Sequence, residues 1–177
     1  MTTVPELGGK APAFEALVGV DGARYSLTSF ADRRLLVLVF SCNGCPTVKA
    51  AEDRLIAIQH TYQEGGVQLL AINSNNHYLS PADSYPEMVA RAEAKAFNFP
   101  YLQDEQGMVA RSYGAARTPH AFLLDEERRV RYRGRIQDSR DPAKVTRRDL
   151  ENALDDLLAG RVVLVAETEP LGCAIVW

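Results

Sequence analysis

Two cysteines stand three positions apart in Cys42-Asn43-Gly44-Cys45, and this C-x-x-C concentrates the chemistry of the chain. The spacing serves two purposes: half of a structural zinc site, or a dithiol that closes and reopens as a disulfide. Structural zinc needs four ligands, normally from a second C-x-x-C or a spaced histidine pair. The other candidates, Cys173, His60, His77 and His120, lie at no such spacing. Placement favours redox chemistry, because an apolar strand pattern ends just before Cys42 and a helical pattern opens just after Cys45. At a helix N-terminus the dipole stabilises a thiolate, and the partner thiol donates a hydrogen bond to it. Together these lower a cysteine pKa from about 8.5 into a range of about 3.5–7.5, which supplies a nucleophile at neutral pH.

The elements that must hold the pair are readable from periodicity. Leu35 to Phe40 is a continuous apolar run, the pattern of a strand buried on both faces. After the motif, Val48, Ala51, Leu55, Ile58 and Tyr62 recur in steps of three and four, one face of a helix. Pro46 suits its first turn and Gly65-Gly66 its end. Alternation continues with a strand at Val67–Ile72, a helix at Ser84–Ala96, a short strand at Phe99–Leu102 and a helix at Glu105–Tyr113. Asp21-Gly22 between two short runs predicts an N-terminal β-hairpin, and Ala121–Asp125 with Arg129–Ile136 predicts a second. A last helix spans Thr146–Leu158, with Thr146 and Asp149 as an acidic capping box and a stripe of Leu150, Ala153, Leu154, Leu157 and Leu158. The order of elements makes this an α/β layer protein.

Composition narrows the function classes. At 177 residues, with 46% hydrophobic and 24% charged residues, one domain over 1–177 is expected, with 161–177 as an extended tail. No window approaches the about 20 apolar residues that span a bilayer. The opening MTTVPELGGKAPAF has neither the cationic start nor the apolar core of a signal peptide, so a cytoplasmic location is expected. A net charge of −3 provides no general attraction for nucleic acid or membrane. Three cysteines are too few for a disulfide-stapled scaffold.

FSCNGCP after a buried strand, with Thr118-Pro119 far downstream, resembles the thioredoxin fold. The long segment between Val67 and Thr118 is similar to the redoxin branch, which includes the alkyl hydroperoxide reductase/thiol-specific antioxidant group and thiol–disulfide oxidoreductases. CNGCPTVKAAEDRL, AINSN, FNFPYLQDE, YRGRIQDSR, VTRRDL and ETEPLGCAIVW extend the likeness over nearly the whole chain. The resemblance implies a central mixed β-sheet flanked by helices, with an N-terminal hairpin and a redoxin-type insertion. It implies Cys42 as attacking thiol, Cys45 as resolving thiol, Pro119 as a cis-proline, and Thr118, Pro119, Asn43 and Gly44 as substrate-binding residues. The activity implied is thiol–disulfide exchange without a bound cofactor or metal. The implied partners are a disulfide-containing protein or small molecule and an upstream reductant.

Departures from the pattern leave alternatives. Asn43-Gly44 replaces the Gly-Pro of thioredoxin, and the strand before the motif has no buried carboxylate, a place that Glu52 or Asp53 would have to fill. In redoxin peroxidases a Thr-x-x-Cys cysteine falls near Cys45, so a peroxidatic Cys45, resolved by Cys42 and aided by Arg117, is the rival enzyme. A noncatalytic metal carrier using Cys42, Cys45 and His120 is the rival outside enzymes; otherwise His120 is a loop residue that tunes the thiolate. Cys173 is either a small hydrophobe docking beside Ile175 and Trp177 or a third redox thiol. Arg131, Arg133 and Arg135 share one strand face, either solvated against Glu126, Glu127 and Asp138 or a surface for an acidic partner. The Asn73-Ser74-Asn75-Asn76 run is either turn chemistry or site-lining.

Overall fold

The Leu35–Ser41 run alternates its side chains to two faces, and each face finds a separate apolar layer. The computed structural model describes residues 3–177; residues 1–2, the start of the segment read as lacking a leader, lie outside it. Its elements are β1 (Leu17–Gly19), β2 (Arg24–Tyr25), β3 (Leu35–Ser41), α1 (Pro46–Tyr62), β4 (Val67–Asn73) and α2 (Tyr85–Lys95). There follow β5 (Tyr101–Gln103), α3 (Met108–Tyr113), β6 (Arg117–Thr118), β7 (His120–Leu124), β8 (Val130–Gly134), α4 (Asp149–Leu158) and β9 (Cys173–Ala174).

Seven strands form one mixed sheet in the order β2-β1-β5-β4-β3-β7-β8. β3 pairs with β4 in parallel, Leu35 opposite Val67 through Ser41 opposite Asn73, and with β7 in antiparallel. Leu35, Val37 and Val39 pack under Ala51, Leu55 and Ile58 of α1, Met88 of α2 and Leu150 and Leu154 of α4. Leu36, Leu38 and Phe40 pack on the other face with Phe14, Phe30, Tyr113 and Phe122. A strand covered on both faces can be apolar throughout, which is why this one carries no alternation. Both expected hairpins are present, β1–β2 and β7–β8.

Two boundaries differ from expectation for local reasons. α3 begins at Met108 because Gly107 is left-handed at φ 66° and the Asp104 carboxylate takes the Val109 and Ala110 amides. α4 begins at Asp149, and the Thr146 cap does not form: Asp138 binds the Thr146 amide and hydroxyl instead. The Asp149 carboxylate is committed to Arg135 and Arg147. The arginine row is likewise consumed internally, Arg131 by Asp125, Arg133 by Glu167 and Arg135 by Asp149, rather than by Glu126, Glu127 and Asp138. All three guanidiniums of the row are thus paired with carboxylates of this chain.

The tail is extended and doubles back across the molecule. It first runs beside β8, where the Arg133 amide donates to Ala166 and the Thr168 amide to Arg133. It then pairs with β6 as a separate two-stranded sheet, Arg117 opposite Ala174 and Thr118 opposite Cys173.

Candidate redox site

Cys42 follows the last residue of β3, and Cys45 is the N-cap of α1 with Pro46 at the first helical position. Both thiols are buried, at 5% and 4% exposure. Thr118 and Pro119, joined by a cis peptide bond, lie across from them. The Thr118 hydroxyl is 3.3 Å from the Cys42 sulfur, and its carbonyl oxygen lies 3.5 Å from the Cys45 sulfur. Cys173, carried in by β9, places its sulfur 2.7 Å from that of Cys45. Cys45 is thus the middle member of three thiols.

The electrostatics follow from that position. The Cys42 S–H bond to Cys45 lowers the Cys45 pKa first; burial opposes it, and bonds from Cys173 and the Val48 amide lower it further. The net direction is strongly down. Cys42 is pushed up by the same bond, by burial and by the negative charge of Asp83, with the Thr118 hydroxyl pulling the other way. Cys173 is pushed up by its bond to Cys45 and by burial. The directions are down at Cys45 and up at Cys42 and Cys173, which favours negative charge on the middle sulfur.

Asn43 and Gly44, grouped as substrate-facing from the resemblance, take opposite positions. Gly44 is exposed with open space around it. Asn43 turns inward: its amide donates to Asp83 at 2.7 Å, its side chain donates to the Ala82 carbonyl, and it accepts from the Tyr101 hydroxyl. Arg117 is exposed and donates to the Gly172 carbonyl at 3.0 Å. His120 is no loop residue: it opens β7, is buried, and its ring lies 4.5 Å from that of Phe122. Burial, then the Arg133 charge, push its pKa down to about 4, so at neutral pH it is uncharged. Its Nδ1 has no hydrogen-bond partner. Among the described residues no cluster of three histidine, cysteine or carboxylate side chains is arranged to hold a metal ion.

Neither Glu52 nor Asp53 serves the dithiol. Glu52 is bound to Arg91 and Asp53 to Lys95. The carboxylate that acts on Cys42 is Asp83, held by the amides of Asn43, Asn73 and Asn75 and the hydroxyl of Ser80. Burial raises its pKa, but these four donors outweigh it and the net shift is down. Asp83 was not singled out by sequence; the Asn-rich run at 73–76, which supplies two of its donors, was the available signal.

The mixed sheet with helices on both faces is a thioredoxin-like fold. The Redoxin family model matches residues 6–154, and the chain belongs to the Redoxin family. A thiol-disulfide oxidoreductase ResA of Geobacillus thermodenitrificans (strain NG80-2) is 27% identical over 131 residues, 73% of this chain and 69% of its own. An uncharacterized conserved protein from Geobacillus kaustophilus superposes with a TM-score of 0.91 at 38% identity, covering 97% of this chain and 92% of that one. A hypothetical protein from Sinorhizobium meliloti 1021 gives 0.92 at 35%, covering 99% and 96%. The chain is therefore an oxidoreductase-like redoxin. No helix among the described residues is long and apolar enough to cross a membrane.

Proposed function

We propose that the chain is a cytoplasmic thiol–disulfide oxidoreductase whose redox centre is the Cys42–Cys45 dithiol, acting without a bound cofactor or metal. The observation that carries this is the placement itself: two buried thiols in one C-x-x-C, the second at a helix N-cap, both beside the cis Thr118-Pro119 bond. Cys42 attacks and Cys45 resolves. The Cys45 thiolate accepts the proton of Cys42 as Cys42 attacks a substrate disulfide, forming a mixed disulfide and releasing one substrate thiolate. That thiolate takes the proton from Cys45, whose sulfur then displaces the second substrate thiolate and closes Cys42–Cys45. The substrate is a protein or small-molecule disulfide, and an upstream dithiol reductant reopens the pair.

A thiol peroxidase with Cys45 as peroxidatic sulfur draws on the same charge at Cys45. Cys42, rather than the threonine of the redoxin peroxidase motif, stands three positions before Cys45, which favours the dithiol reading. Insulin reduction separates the readings. Both Cys42→Ser and Cys45→Ser should fall to background, with Cys45→Ser alone trapping substrate as a mixed disulfide through Cys42. Trapping by Cys42→Ser instead, with retained peroxide consumption, would transfer the assignment to the peroxidase.

A further inference from the structure

The third thiol sits on a strand paired with the edge beside the cis-proline. β6, the edge beside the cis-proline, is occupied along its length by β9 in antiparallel register, and that register sets Cys173 opposite Thr118. The approach is close enough that a Cβ on Gly172 would stand 1.8 Å from the Thr118 carbonyl oxygen, so only glycine fits there. The strand is pinned beyond this point by two bonds, the Val176 amide to Asn75 and the Asn76 amide to Val176. Ile175 beside it is buried in the core. The tail docks through Ile175, as a hydrophobic tail would, but Cys173 itself is exposed on one side and meets the Cys45 sulfur on the other.

We propose that this C-terminal strand is a built-in substrate of the dithiol, and that Cys173 is a third redox sulfur. The proposal rests on the reading that Cys42 and Cys45 exchange disulfides. Once an external disulfide has oxidised the pair, the Cys173 thiolate attacks the Cys45 sulfur. The Cys45–Cys173 bond forms, the Cys42–Cys45 bond breaks, and Cys42 leaves as a thiolate that takes the proton given up by Cys173. The level of oxidation does not change. The disulfide moves from a pair of buried sulfurs to one with an exposed member, within reach of a reductant, and Cys42 is freed. An external peptide that is to pair with β6 must displace β9 first.

The test is disulfide mapping by mass spectrometry after oxidation of the full chain with diamide and alkylation of free thiols. Cys42→Ser should close Cys45–Cys173 within one chain, Cys173→Ser should close only Cys42–Cys45, and Cys45→Ser should close neither pair. Gly172→Val keeps all three thiols but pushes the strand off Thr118; it should lower the yield of Cys45–Cys173 about tenfold by removing the local concentration of the thiol, while keeping Cys42–Cys45. Two free thiols in oxidised Cys42→Ser, or pairing only between chains, would overturn the proposal while insulin reduction by the wild type leaves the dithiol reading intact. Loss of insulin reduction in the wild type would overturn both. A Gly172→Val protein with undiminished Cys45–Cys173 yield would refute the role of the docked strand.

Discussion

Two carboxylates buried near α1, each 2% exposed, are accommodated in opposite ways. Glu52 meets the Arg91 guanidinium at two points across the α1–α2 interface. Asp83 receives four neutral donors, two on each oxygen, and no ion pair among the described residues reaches it. The first charge is cancelled where it stands, and its region is a clamp between helices. The second charge is solvated by dipoles but not neutralised, so its field persists and raises the Cys42 pKa. Burial alone therefore says little about what a carboxylate does; the charge of its partners decides it.

Removing Arg91 should break the contrast most severely, because a buried carboxylate would be left with no cation. Arg91→Ala is expected to lose about 3 kcal/mol, read as a lower urea midpoint at an unchanged slope. Asp83→Asn comes next. An amide has one acceptor oxygen for four donors, so about 2 kcal/mol of stability is lost, and the alkylation profile of Cys42 moves to lower pH. Glu52→Gln should leave that profile in place; a matching shift would mean that the two carboxylates act on the thiol alike. Asp83 also carries a pH signature. Its folded pKa lies below its unfolded value of about 3.9, so its contribution is full above that pH and is lost as pH falls through the folded value. Asp83→Asn should flatten that part of the acid unfolding curve. The smallest effect belongs to the neighbouring surface pair. With Asp53 86% exposed, Lys95→Ala should change stability by no more than about 0.5 kcal/mol in the same urea titration.

The regions differ too in how far they could be read from sequence. β3, α1 and both hairpins were legible because their signals are local: a run without polar residues, a stripe at helical spacing, an Asp-Gly turn. The meeting of Cys42, Cys45, Thr118 and Pro119 was legible only through resemblance. The Asp83 cluster was not, since its donors come from positions 43, 73, 75 and 80 and no periodicity links them. Nor was the third sulfur beside Cys45, which comes from 128 positions away. The start of α4 shows the limit of a local rule. Thr146 and Asp149 have capping-box spacing, yet Asp138 and Arg135 engage them first.

The last residue of the chain has a spectroscopic use. Trp177 is the single tryptophan, and its ring lies 4.2 Å from the Arg111 guanidinium at the far end of the returning strand. Every photon of indole emission thus originates a few residues from Cys173. Release of the strand would move that indole from a cationic, half-covered perch into bulk water and redden its emission. The unlabelled chain carries its own optical gauge of whether the strand is seated, readable in real time as reductant or oxidant is added.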